Sequence, residues 1–212
     1  VIVHDMGCPL AYAEMVSAEG IHYRNERTLA MLSSERDERP LAMQIFAKEP
    51  VMAAEAAAFI EALGTADILD FNMGCPAPKI VKNGEGSALM TDPKRAEKIL
   101  TAIRKAVKMP FTVKMRKGWD DAHVNVVELA KIAEAAGVDA IAVHGRTREQ
   151  FYAGNADYDS IAAVKKAVRR HPHHRRSGPR TAGDRGGRRH DRPGGPGESV
   201  DLSAIYALLA DG

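Results

Sequence analysis

Residues 66–90 read A-D-I-L-D-F-N-M-G-C-P-A-P-K-I-V-K-N-G-E-G-S-A-L-M, and the reading of the chain turns on how this stretch divides. The apolar run 68–71 is short enough for a buried strand, and it meets Asn72, Gly74, Cys75 and Pro76, which prolong neither a helix nor a central strand. The strand therefore delivers polar residues to its C-terminal end. In parallel α/β folds that end faces the ligand, so the amide of Asn72 and the thiol of Cys75, three positions apart, mark a candidate site. A cysteine taken alone is more simply a small hydrophobe packed beside a turn, so the neighbouring stretches have to decide.

Upstream, 10–16 reads as a strand, 26–32 as a short helix, 41–46 as a strand and 51–63 as an Ala-rich helix. Downstream, a helix over 92–107 is started by Asp92 and Pro93. A strand over 111–115, a helix over 124–136 stopped by Gly137, a strand over 140–143 and a helix over 158–168 follow. Strand and helix thus alternate with a repeat of about 30 residues, which means parallel strands joined by right-handed crossovers.

Such a chain forms either a doubly wound sheet or a (β/α)8 barrel. No G-x-G-x-x-G follows an early strand, which leaves the dinucleotide-binding form little support. Four successive strands instead end in a residue able to touch a ligand: Gln44, then Asn72 with Cys75, then Lys114, then His144. Each has a plain alternative, as a loop-anchoring amide, a solvated charge or a satisfied core histidine. Their recurrence at one topological position favours a barrel, whose strand ends ring a single mouth.

Composition narrows the function classes. The 212 residues suffice for one domain with a sizeable core, and 45% hydrophobic with 27% charged residues describes an ordinary soluble protein. There is no long apolar run or signal-peptide pattern, so the expected location is cytoplasmic and no membrane partner is expected. Cys8 and Cys75 lie far apart without a C-x-x-C, which argues against a disulfide framework and a metal site.

The block N-M-G-C-P at 72–76, followed by Lys79, Lys82, Gly84, Gly86, Ser87, Leu89 and Met90, resembles the signature of the tRNA-dihydrouridine synthases. These flavoenzymes reduce uridine in tRNA. The likeness spans 7–168 and is strongest toward the bacterial B-type members. It implies an FMN-binding barrel over 1–168, NADPH as reductant and tRNA as partner. Reducing the uracil C5=C6 bond takes a hydride at C6 and a proton at C5, and because no side chain donates hydride a cofactor must carry it. The resemblance assigns Gln44, Asn72, Lys114 and His144 to the flavin and makes Cys75 the proton donor to C5. Free thiols are mostly protonated at neutral pH, which suits that role.

Arg116, in K-M-R-K-G-W, and Arg146, in H-G-R-T-R, are solvated charges or contacts to the tRNA backbone and the extruded uridine. Two rival readings stay open: another FMN barrel of the dihydroorotate dehydrogenase or ene-reductase kind, and a basic-tailed RNA-binding protein.

The tail departs from the family. Residues 169–200 hold nine Arg, four His and three acids and no Ile, Leu, Met, Phe, Tyr or Trp, so this segment is expected to be disordered. A basic RNA-binding arm, or His171, His173 and His174 as metal ligands, would be functional readings. A shifted reading frame accounts for more. Codons allowed for 171–175, read one nucleotide later, permit I-P-I-I-G, and those for 190–202 permit M-I-G-R-G-A-L-G-N-P-W-I-F. Both resemble the family's last two strands, whose glycine turns would grip the FMN phosphate. The chain also opens on Val1, after the family's first strand with its A-P-M-x-G-x-T-type turn. The expectation is therefore an incomplete (β/α)8 barrel of about five of eight strands, with an aberrant tail at 169–212; if the frame stands as printed, the chain is expected to be a fragment that does not retain FMN on its own.

Overall fold

A computed structural model describes residues 6–34 and 38–168, and its strands pair in parallel throughout. Strands β1 (Ala11–Tyr12) and β2 (Val16–Ser17) lie in tandem along β3 (Leu41–Phe46), and β4 (Ile68–Met73), β5 (Phe111–Arg116) and β6 (Ala140–His144) follow across the sheet in chain order. The helices are α1 (Ala18–His22), α2 (Glu26–Ala30), α3 (Pro50–Leu63), α4 (Pro78–Lys82), α5 (Pro93–Ala106), α6 (Val126–Ala135) and α7 (Tyr158–Ala167), with a 3-10 turn at Gly86–Thr91. Helix α1 packs on α3, α3 on α5, α5 on α6 and α6 on α7.

That succession separates the two architectures left open above. In a doubly wound sheet the strand order reverses once and the helices divide between the two faces. Here the order never reverses and each helix lies against the next, so all the large helices cover one face. The result is the expected five-position section of a barrel, with β1 and β2 sharing the first position.

Alternation along the strands builds the core. Leu41, Met43 and Ile45, Leu69, Phe71 and Met73, and Phe111, Val113 and Met115 are buried with Ala56, Ile60, Ile99, Ile103, Leu129 and Ala133 of the helices. The intervening residues belong to the inner wall. At its bottom Ala42 and Ile68 pack with Leu10. Toward the top the wall turns polar, with Gln44, Asp70, Asn72, Thr112, Lys114, Arg116 and His144.

Two boundaries differ from expectation in ways that shape the mouth. The segment expected as one strand over 10–16 is broken in two, since Tyr12 pairs with Ala42 and Val16 with Ile45. Four steps on one side match three on the other, so one residue bulges. The strand expected to stop at 71 runs on to Met73, because Asn72 and Met73 keep the ladder with Lys114 and Met115. Asn72 is thus a strand residue on the inner wall rather than the first residue of a turn.

Asp92 caps α5 as expected, its Oδ1 accepting from the Arg95 N–H at 3.0 Å. The tail at 169–212, its histidines and the shifted-frame reading lie outside the described residues. Among the described residues no helix is long and apolar enough to cross a membrane.

Candidate active site

The polar residues of the inner wall are brought into contact by register. Gln44 stands opposite Asp70 and Asp70 opposite Thr112. One step up, Asn72 faces Lys114, and above that Arg116 faces His144. Four of the residues singled out in the sequence, Gln44, Asn72, Lys114 and His144, therefore line one wall of one mouth, and the half-buried Cys75 sits at its rim.

A directed chain of hydrogen bonds runs from Asp70 to Cys75. Asp70 is 2% exposed; it accepts from the Thr112 hydroxyl at Oδ1 and from Gln44 Nε2 at Oδ2. Gln44 Oε1 accepts from Asn72 Nδ2 at 2.8 Å, and Asn72 Oδ1 accepts from the backbone N–H of Gly74 at 3.0 Å and of Cys75 at 2.8 Å. The backbone end fixes the polarity. A backbone N–H only donates, so Asn72 Oδ1 accepts, Asn72 Nδ2 donates to Gln44 Oε1 and Gln44 Nε2 is left to donate to Asp70. The Asn72 amide also donates to Met15 Sδ at 3.6 Å, a residue that the break between β1 and β2 brings to the mouth.

Two glycines close the Cys75 turn. A Cβ on Gly74 would stand 3.3 Å from the Met115 carbonyl carbon. Gly86, at φ 59°, would meet the Cys75 carbonyl oxygen at 2.8 Å. The turn is fastened further by the Ser87 N–H, which donates to the Cys75 carbonyl at 3.0 Å.

Burial pushes the Asp70 carboxyl above the ordinary carboxylate range, against the opposing pull of its Thr112 and Gln44 hydrogen bonds and the Lys114 charge. Burial likewise lowers Lys114, which Asp70 partly offsets. Lys114 makes no hydrogen bond or ion pair among the described residues, so its ammonium faces the mouth uncommitted. His144 is brought down to about 4, by burial first and then by Arg116, Lys114 and Arg146. Its Nε2 lies 3.2 Å from Arg146 Nη1. A guanidinium can only donate, so Nε2 carries the lone pair and the proton is on Nδ1.

The two arginines are placed less simply than a solvated charge. Arg116 is 2% exposed. Its Nε donates to the Gly74 carbonyl at 3.0 Å, and its Nη1 donates to the carbonyls of Thr147 at 2.9 Å and Phe151 at 2.6 Å. Among the described residues the Nη2 edge has no protein acceptor. Arg146 grips the Gly154 carbonyl through Nε and Nη2, at 3.2 and 2.8 Å. Both side chains shape the loop that follows β6.

Asp70, Thr112 and Met15 were not singled out in the sequence. Period-two alternation was the available signal for the first two, since Asp70 and Thr112 precede Asn72 and Lys114 by two positions and share their face. Met15 had none. No group of three or more His, Cys, Asp or Glu side chains among the described residues could hold a metal ion. The donor set instead fits a flat acceptor-edged ring such as a flavin: an uncommitted half-buried ammonium on Lys114, beside Gln44 with one N–H left over.

The sequence model of the family "Dihydrouridine synthase (Dus)" matches residues 2–172. The chain is 47% identical over 169 residues to the "Probable tRNA-dihydrouridine synthase" of Rickettsia conorii, covering 79% of this chain and 51% of that protein. It is 42% identical over 163 residues to tRNA-dihydrouridine synthase B of Pseudomonas aeruginosa, covering 77% and 49%. For the enzyme of the same name from Shewanella oneidensis the values are 42% over 162 residues, 76% and 50%. The chain spans about half the length of the curated relatives it matches.

Proposed function

Because this chain belongs to the dihydrouridine synthase family, we propose that it carries the reacting wall of an enzyme that reduces uridine to 5,6-dihydrouridine in tRNA, in the cytoplasm, with FMN as cofactor and NADPH as reductant. One observation carries the reading: the amide of Asn72 holds the Cys75 turn at the same mouth where Lys114 presents an uncommitted ammonium.

Reduced FMN, when bound, supplies the hydride that uracil C6 receives. The chain's own residues do the rest. Lys114 and the spare N–H of Gln44 would hold the acceptor edge of the ring, and the Lys114 charge would favour its electron-rich form. Cys75 gives its thiol proton to C5 and is reprotonated from solvent. Asn72 acts through Cys75 by fixing its backbone. His144 is neutral and serves as a hydrogen-bonding side chain rather than a charge. Arg116 and Arg146 contribute to the substrate side, Arg116 through its open Nη2 edge.

The test supplies the chain with excess FMN, NADPH and tRNA lacking dihydrouridine, then digests the tRNA to nucleosides for mass spectrometry. Excess FMN is used because the sequence assigns the phosphate grip to residues outside those described. Dihydrouridine is expected with the chain and not with Cys75→Ala, which should still bind FMN. No product from the chain, or full product from Cys75→Ala, refutes the assignment. Turnover of dihydroorotate or small enones in place of tRNA would favour the other flavin-barrel reading.

A further inference from the structure

The loop between β6 and α7 carries an aromatic side chain for which the site described so far has no use. Tyr152 is 73% exposed, yet its position is fixed from several sides. Arg116 donates to the carbonyl of the preceding Phe151 and Arg146 to that of Gly154, two positions on. Asp157 N–H closes the base of the loop on the Gly145 carbonyl at 2.7 Å. Phe151 itself sits at φ 51°, a left-handed conformation that a bulky residue adopts only when its surroundings impose it.

The fastening aims the ring. The Arg116 guanidinium lies 5.6 Å from the Tyr152 ring centroid, and the His144 ring centroid is 6.1 Å away at a 38° tilt. The same guanidinium holds the Cys75 turn through the Gly74 carbonyl. Single exposed aromatics are ordinary on protein surfaces. An exposed aromatic backed by a buried cation, on a loop fastened at two carbonyls and joined to the Cys75 turn by one side chain, is a built platform.

We propose that Tyr152 is a stacking platform for a nucleobase of single-stranded RNA, the one next to the uridine that reaches Cys75. This rests on the uridine-reducing reading above. A base leaving its stack to meet a flavin loses its neighbours, and so does the base beside it. An aromatic face at the rim replaces one of those contacts without demanding a particular sequence. Tyr152 suits the neighbouring base because it stands out at the rim while Cys75 lies half-buried. A second cation stands close by, since Arg146 lies beside the His144 ring that neighbours Tyr152.

The test measures binding of the full chain to a labelled oligouridine by fluorescence anisotropy, at two salt concentrations, for wild type, Tyr152→Ala and Tyr152→Phe. Heparin serves as a polyanion without bases. Tyr152→Ala is expected to weaken RNA binding by about tenfold or more, with an unchanged salt slope because no charge is lost, and to leave heparin binding alone. Tyr152→Phe should restore RNA binding. Equal loss with Phe and Ala, an equal loss toward heparin, undiminished RNA binding by Tyr152→Ala, or no RNA binding by wild type would each overturn the platform. If Tyr152→Ala loses RNA while no chain forms dihydrouridine, the platform stands and the uridine-reducing reading falls. If dihydrouridine forms and Tyr152→Ala binds RNA normally, the reverse holds.

Discussion

Replacing Asn72 by Asp changes one group and leaves the shape of the site intact. The new side chain still offers an oxygen to the N–H groups of Gly74 and Cys75, which now lie 3.0 and 2.8 Å from Asn72 Oδ1. What it cannot do is donate. Gln44 Oε1, which accepts from Asn72 Nδ2 at 2.8 Å, would face a second acceptor. Gln44 could turn its amide only by giving up the bond its Nε2 makes to Asp70.

The cost is one lost hydrogen bond, about 0.5–1.5 kcal/mol, plus a buried acceptor left unmet, about 1–3 kcal/mol. A combined loss of about 1.5–4.5 kcal/mol is expected at pH 7, which lowers Tm by roughly 3–18 °C for a chain of this size. Thermal melts of both chains at pH 7, followed by circular dichroism, read the effect. A Tm within a degree of wild type would refute the directed chain from Asp70 to Cys75.

Lys114→Ala should weaken FMN binding by about tenfold or more, the worth of a hydrogen bond from a charged donor, measured by quenching of flavin fluorescence; unchanged affinity removes Lys114 from the cofactor. Gly86→Ala places a Cβ 2.8 Å from the Cys75 carbonyl oxygen at φ 59°, so it should cost about 1–3 kcal/mol in denaturant unfolding; a neutral effect would show that the turn yields freely. His144, lowered to about 4, should stay neutral from pH 8 to 5 in an NMR titration. Because its folded pKa lies below the unfolded value of about 6.5, its contribution to stability is present above that value and is lost as pH falls toward 4. A midpoint at or above 6.5 would refute the placement of His144 among the three cations.

What the sequence could show of this mouth and what it could not divide by how far apart the partners are. Local pattern was enough for the elements and for the inner wall. The alternation in 68–73 and 111–116 sets Asn72 and Lys114 on one face, and the repeated strand-helix unit brings those faces together. The same alternation carried Asp70 and Thr112. Asp70 went unnoticed because it sits within an apolar run, where it read as part of a buried strand.

The arginines show where local pattern fails. Arg116 and Arg146 follow strand ends in basic stretches, which is what a phosphate contact would look like. Nothing in K-M-R-K-G-W says that Arg116 will meet the carbonyls of Thr147 and Phe151, more than thirty positions on, since carbonyls are common to every residue and leave no mark in a sequence. The consequence reaches the chemistry. A guanidinium whose Nε holds the Cys75 turn and whose Nη1 holds the loop bearing Tyr152 ties that turn to the rim, so disturbing the loop should be felt at Cys75 without any contact between them.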